Sequence, residues 1–307
     1  MTGRVWVITG TSSGLGLHLV KYVLSQGDKV IATVRSVAKF PDALREAGAH
    51  PLIVDFGNTD AEIMKAGSDA IAIYGHVDVL VNNAGNSDGV GPVEEISMDD
   101  IRRQFQTNLF GPIAFTKPFI THFRTRRAGH IINVSSISSM TSWPSFAAYT
   151  GSKAGVDSFT DALAQELAPF GVRVHLVLPG YFPTNIFVNH PKYSDAPDSS
   201  AVPIAEGLSE IYTEDSQGYN LINVLPRWAE SVGYGGDMDK FSARIYEIVT
   251  DTGFAKDLKI NEQPWLRIPM GRDCGENVPK KLESILENFR AVEPLWRSTD
   301  IDRSTGT

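Results

Sequence analysis

"TGTSSGLG", residues 9–16, follows the short apolar run "RVWVIT" (4–9) and precedes a stretch where Leu15, Leu19, Val23 and Leu24 recur at helical spacing. Strand, glycine turn and helix are thus predicted in succession, with Gly27 ending the helix. Two readings of the turn compete. Gly10–Gly14 has the G-x-S-x-G spacing of a hydrolase nucleophile elbow, with Ser12 as the attacking group. Glycines at 10, 14 and 16 also suit a turn that brings backbone against a dinucleotide's phosphates at a helix N-terminus. Gly10 then permits the tight turn, Gly14 the approach of backbone to cofactor, and Gly16 close packing of helix on sheet. Ser12 and Ser13 offer hydroxyls to phosphate. The hydrolase fold sets its elbow well inside the sheet and leaves Gly16 without a task, so the phosphate reading is preferred.

Working outward, further apolar runs at 29–35, 50–56, 77–85, 130–136 and 172–180 read as strands. Helical stretches are predicted at 41–49, 60–74, 97–127 and 148–169 between them. This alternation predicts an α/β fold, a doubly wound parallel sheet of Rossmann type flanked by helices, with ligands bound beyond the strands' carboxyl ends. After Gly180 the pattern weakens. Residues 1–182 read as the cofactor-binding and catalytic core, and 183–236, rich in Pro, Gly, Ser and Asp, as a C-terminal substrate-binding excursion. Residues 237–307 carry helices at 239–250 and 278–291 and a short strand at 265–269. The 307 residues are read as a single domain.

A formal charge of −8 argues against nucleic acid or an anionic membrane, because no basic excess exists to neutralise phosphates. Cys274 is the sole cysteine, so no intrachain disulfide forms. The chain enters a strand almost at once, leaving no room for a signal peptide, and no apolar run approaches the ~20 residues of a membrane span. A cytoplasmic protein is expected. The seven histidines show no metal-ligand spacing, so no metal is expected.

Tyr149 has Lys153 four residues later, on the same face of a helix. A nearby ammonium favours tyrosinate and lowers the phenol's pKa, and a poised phenol exchanges a proton with a carbonyl or alcohol oxygen. Ser136, at the end of the fifth strand, can reach the same carbonyl. Asn108, inside the helix at 97–127, could hold a water that bonds Lys153. Surface positions for the Tyr–Lys pair and for Asn108 are the plain alternatives.

Together, "TGTSSGLG", "NNAG" (82–85), Asn108, Ser136, "YTGSK" (149–153) and "PGYFPT" (179–184) resemble, in order and spacing, the short-chain dehydrogenase/reductase family, over residues 4 to about 184. The resemblance implies hydride transfer between NAD(P) and a carbonyl or alcohol. Tyr149 would be the acid/base and Ser136 the carbonyl binder. Lys153 would hold the ribose hydroxyls and lower the Tyr149 pKa, while Asn108 supports a proton-relay water. Asn83, Ala84 and Gly85 would line the adenine-ribose side, and Leu15 and Phe56 are further cofactor-binding candidates. Asp55 would bond the adenine amino group, unless it is a simple turn carboxylate. Pro179, Gly180 and Thr184 would flank the nicotinamide.

NAD preference usually needs an acid at the end of the second strand. Val34 and Arg35 stand there, and arginine suits a 2′-phosphate, so NADP(H) is expected over NAD(H). The alternative for Arg35 is a solvated strand-end charge. Trp143, Phe146, Tyr181 and Phe187 are candidate walls for a medium-to-large apolar alcohol or ketone, and the latter part of the chain resembles hydroxysteroid- and retinol-dehydrogenase-like members. Homodimers or homotetramers packed through the helices at 97–127 and 148–169 are implied by the resemblance. The rival reading is an NADP(H)-binding sensor or scaffold without turnover.

Overall fold

Strands β1 (Val5–Ile8), β2 (Lys29–Val34), β3 (His50–Ile53), β4 (Val79–Asn82), β5 (Gly129–Val134), β6 (Val172–Pro179) and β7 (Arg267–Met270) form one parallel sheet. Their order is β3-β2-β1-β4-β5-β6-β7. This computed structural model describes residues 3–87, 90–184, 186, 235–262 and 267–300. Helices α1 (Gly14–Ser25), α2 (Asp42–Glu46), α3 (Asp60–Tyr74), α4 (Met98–Phe105), α5 (Gly111–Arg126) and α6 (Ala147–Leu167) connect the first six strands. Helices α7 (Met238–Thr250), α8 (Gly253–Asp257), α9 (Arg272–Ala291) and α10 (Glu293–Arg297) follow.

β1 shows why such apolar runs must be covered on both sides. Trp6 and Ile8 join Leu19, Val20 and Val23 of α1 and Phe241, Ile245 and Ile248 of α7 in one core. Val5 and Val7 join Ile63 of α3, Phe115, Phe119 and Phe123 of α5 and Leu163 and Leu167 of α6 in a second. Alternate residues of one strand therefore feed opposite layers, as in any sheet buried on both faces. The fully buried Trp6 ring keeps its polar edge satisfied, since Nε1 donates to Asp28 Oδ2 at 2.9 Å.

The chain runs outward from β1 to β3 on one side and from β4 to β7 on the other. The order thus reverses between β1 and β4, which opens a crevice at their carboxyl ends.

Some elements depart from the predicted bounds. The helix expected at 97–127 is α4 and α5 joined by a π-helical turn, Gln106–Phe110. The widened turn coincides with a tight contact: a Cβ on Gly111 would lie 2.5 Å from Phe56 Cβ. Residues 83–85 leave the sheet beyond β4. α2 is shorter than the predicted 41–49 stretch. α9 begins at Arg272 and continues through Pro279, earlier than the predicted 278. Of the excursion at 183–236, most lies outside the described residues, Phe187 included.

Candidate active site

The glycine turn is built by close approach. Gly10 has φ +69°, and a Cβ there would sit 2.6 Å from Ala84 Cα. A Cβ on Gly16 would lie 2.3 Å from the Gly10 carbonyl oxygen and 2.6 Å from Asn83 Nδ2. Asn83 Nδ2 in turn donates to the carbonyls of Thr9 and Gly10, at 2.9 and 3.1 Å. The Thr9 hydroxyl accepts the backbone N–H groups of Asn83 and Ala84, both at 3.0 Å. The segment after β4 is therefore stitched to the turn after β1. Ser13, the residue before α1, makes no side-chain cap, so the first N–H groups of that helix stay available.

This turn forms one wall of a cavity of about 1210 Å³ at the carboxyl ends of the strands. Gly10, Ser12, Ser13, Gly14 and Leu15 line it, as do Arg35 after β2 and Asp55 and Phe56 after β3. Asn83, Ala84 and Gly85 line it after β4, as do Pro179 at the end of β6 and Gly180, Tyr181 and Thr184 beyond it. Gly16 is not on the wall; its task is the packing just described. Lys39 is a second cation on the Arg35 side that the sequence reading missed. Asp55 already accepts the Gly57 N–H at 2.8 Å through one oxygen, the turn role that its sequence also allowed.

Ser136, Tyr149 and Lys153 meet on the opposite wall, all three buried. Ser136 stands two residues beyond β5, at the start of the turn Ile137–Ser139. Tyr149 and Lys153 sit one turn apart at the start of α6. The Ser136 hydroxyl lies beside the Tyr149 phenol, near enough to favour its ionised form. The Lys153 ammonium donates to the Val134 carbonyl at 3.0 Å and lies 6.0 Å from the centre of the Tyr149 ring.

Burial holds the Tyr149 phenol above its ordinary value, and the neighbouring Ser136 hydroxyl opposes that shift. The expected drop towards neutrality is thus corrected: desolvation of the phenol dominates these surroundings. Burial also pulls Lys153 down, to about 8, against the opposing influence of the Asp157 carboxylate.

Asn108 lies in the π-helical turn, behind the cavity wall rather than on it. Its Oδ1 accepts the Asn86 N–H at 2.9 Å, and its Nδ2 donates to the Asn86 carbonyl at 3.0 Å and to Ser152 Oγ at 3.1 Å. A Cβ on Gly85 would meet both Asn108 Oδ1 and Lys153 Nζ at 3.3 Å. Asn108 therefore borders the lysine through a gap that only glycine leaves open.

The Tyr149 ring packs with Phe146, and Val90, Trp143 and Ile186 pack against the pair. The Gly91 N–H bonds the carbonyl of Ser145, whose φ of +70° shapes the entry to α6. On the far side, Asp273 at the start of α9 accepts the Tyr181 N–H at 2.7 Å. A Cβ on Gly180 would collide with that carboxylate at 1.9 Å. Asp273 falls ahead of the helix expected at 278–291, so its place in a first helical turn was not foreseen. Nothing in the sequence tied it to Tyr181. Among the described residues no group of three or more His, Cys, Asp or Glu could hold a metal ion, and no helix is long and apolar enough to cross a membrane.

Such a site can pass a proton through buried hydroxyls beside a cavity walled by helix N–H donors and cations. Comparison with known proteins agrees in kind. A family model described as short chain dehydrogenase matches residues 4–194. The chain is 37% identical over 192 residues to the Uncharacterized oxidoreductase YusZ of Bacillus subtilis (strain 168), covering 61% of this chain and 68% of that one. Two other curated relatives are spanned over less than two thirds of their length, 65% and 61%. A short-chain dehydrogenase from Streptomyces avermitilis superposes with a TM-score of 0.78 at 28% identity, covering 98% of this chain and 100% of that one. A metagenomic short-chain oxidoreductase solved in complex with NADP superposes with a TM-score of 0.55 at 33% identity, covering 59% of this chain and 83% of that one. Sheet order, glycine turn and buried trio coincide with a match over more than half of the sequence: the chain belongs to the short chain dehydrogenase family of oxidoreductases.

Proposed function

We propose that the protein transfers a hydride between NADP(H) and the carbonyl or alcohol carbon of a medium-to-large apolar substrate, with Tyr149 as acid/base. The observation that carries this reading is the convergence of the buried Ser136, Tyr149 and Lys153 side chains on one wall of the cavity, with the lysine ammonium 6.0 Å from the tyrosine ring.

The residues present fit a dinucleotide. The uncapped start of α1, the Ser12 and Ser13 hydroxyls and the positive φ of Gly10 and Gly14 suit phosphates. Arg35 and Lys39, with buried Val34 in place of an acid, suit a 2′-phosphate. The cofactor would supply or accept the hydride. Ser136 would hold the substrate oxygen, and Tyr149 would give that oxygen a proton during reduction and recover one during oxidation. Lys153 would bond ribose hydroxyls and favour the tyrosinate once the proton has left. Trp143, Phe146 and Tyr181 would face the apolar part of the substrate. Assembly into homodimers or homotetramers belongs to the same reading.

The test is a panel of aldehydes, ketones and alcohols assayed with NADPH and NADP⁺, following absorbance of the reduced nicotinamide, alongside titration with NADPH and NADH. Turnover with tighter NADPH binding supports the reading. Tight NADPH binding with no turnover across the panel supports the sensor alternative. A chain that binds neither nucleotide overturns both.

A further inference from the structure

On α6 the residues four apart, Tyr149, Lys153 and Asp157, share one face. The first two face the cavity. Asp157 is the next position inward and is 5% exposed. A carboxylate that deep must be paired or hydrogen-bonded, or it stays neutral.

Its partners come from the end of β5, on either side of Ser136. The Ser135 hydroxyl donates to Asp157 Oδ1 at 2.5 Å, and the Ser139 hydroxyl donates to Oδ2 at 2.7 Å. Each of these hydroxyls has a second acceptor in reach, Lys153 O at 3.3 Å and Ser136 O at 2.8 Å. Neither carbonyl needs it. Ser136 O already takes the Ser139 N–H at 3.0 Å, and Lys153 O lies inside a helix that supplies its own N–H. With Asp157 ionised, every group in the cluster is satisfied using one proton per hydroxyl.

The charges around the carboxylate act in both directions. Burial pushes Asp157 up, while the two serine hydrogen bonds, Arg267 from β7 and Lys153 pull it down. Arg267 is shared with Asp161 at 2.6 Å. From α9 the Cys274 thiol also feels Asp157 and is itself pushed up to about 12, chiefly by burial. For Lys153, Asp157 is the acid that opposes the burial of the ammonium.

We propose that Asp157 is a positioning residue for this site: its buried carboxylate clamps Ser135 and Ser139 on either side of Ser136 and supplies the counter-charge to the Lys153 ammonium. It touches neither substrate nor cofactor and acts through its neighbours. The proposal deepens the functional reading above and rests on it for its kinetic arm.

Charge and clamp are separable by substitution. Asp157→Asn keeps the shape: the amide oxygen accepts from Ser135, and the amide N–H donates to Ser139, whose own proton turns to Ser136 O. Only the charge goes. Ser135→Ala keeps the charge and loosens one side of the clamp. In alcohol oxidation, Asp157→Asn is expected to lower kcat about tenfold at pH 7 and move the rising limb of the pH profile upward by about a unit, because a neutral lysine no longer favours tyrosinate. Ser135→Ala is expected to lower kcat several-fold with the limb unmoved. An independent readout is the titration of Lys153 by NMR of protein carrying ¹³C-labelled lysine, assigned by its loss in Lys153→Met. The Lys153 midpoint should fall in Asp157→Asn and stay put in Ser135→Ala. Unchanged Lys153 titration in folded Asp157→Asn overturns the proposal whatever the kinetics show. A chain with no turnover but a shifted Lys153 midpoint upholds the electrostatic link and overturns the catalytic reading instead.

Discussion

The Ser136 hydroxyl and the Tyr149 phenol, thirteen positions apart in sequence and carried by the turn after β5 and the start of α6, lie side by side on one wall of the cavity.

Tyr149→Phe removes the oxygen proposed to exchange the proton and little else, since the ring stays packed with Phe146 and Trp143. It should lower kcat by about 10²- to 10⁴-fold while leaving NADPH affinity within a few-fold of the parent. Steady-state kinetics beside a fluorescence titration of cofactor check both halves. Full activity in this variant would remove Tyr149 from the mechanism.

Arg35→Glu places an acid where β2 delivers Val34 to the cavity edge. Losing a charge-assisted bond to a 2′-phosphate should weaken NADPH about 10- to 100-fold. Affinity for NADH should hold or improve. Equal losses for the two nucleotides would place Arg35 away from the ribose.

Gly16→Ala puts a methyl against the Gly10 carbonyl and the Asn83 amide. Both neighbours are fixed by hydrogen bonds, so the strain is not easily relieved. A loss of about 1–3 kcal/mol is expected, read as a lower thermal midpoint, with weaker nucleotide binding because the turn itself shifts. An unchanged midpoint would mean that α1 and the turn move apart freely.

Acid should destabilise the fold through a histidine pair far from the cavity. His130 and His175 stack with ring centres 6.1 Å apart on neighbouring strands, and neither nitrogen of buried His175 has a hydrogen-bond partner. Burial holds both well below the usual value, at about 3 and about 4 respectively. Below pH 6.5 the unfolded chain takes up protons at these sites and the folded chain does not, so stability falls as pH drops towards the folded values. By pH 5 the loss is about 2 kcal/mol per histidine. Urea melts between pH 7.5 and 5 should show it, and His175→Leu should flatten the slope; an identical slope in that variant would acquit the pair.

Much of this was legible in the chain because the decisive signals are local. Val5–Ile8 is apolar at every position and ends in a glycine turn, so strand, turn and helix follow from neighbours in sequence. Tyr149 and Lys153 announce themselves by helical spacing, and Asp157 continues the same series unremarked, since nothing local says that its face turns inward. The widening at Gln106–Phe110 was hidden because its close contact with Phe56 comes from across the fold. The early start of α9 was hidden for another reason. Gly275 and Pro279 look like helix breakers, but both are exposed, where the unpaired Gly275 carbonyl can face water. The rise in the Tyr149 pKa depends on burial, a quantity that spacing does not carry.

The grip of Asp273 on the Tyr181 backbone joins residues 92 positions apart, one following the sixth strand and the other following the seventh. A ribosome adding about 5–20 residues per second needs roughly 5–20 s to cover that interval. Through that time the nascent chain holds the glycine turn and Tyr149 but lacks the carboxylate that fixes the far rim. A finished pocket thus waits until the chain beyond the seventh strand has been made, and shorter chains emerge with one rim unfastened.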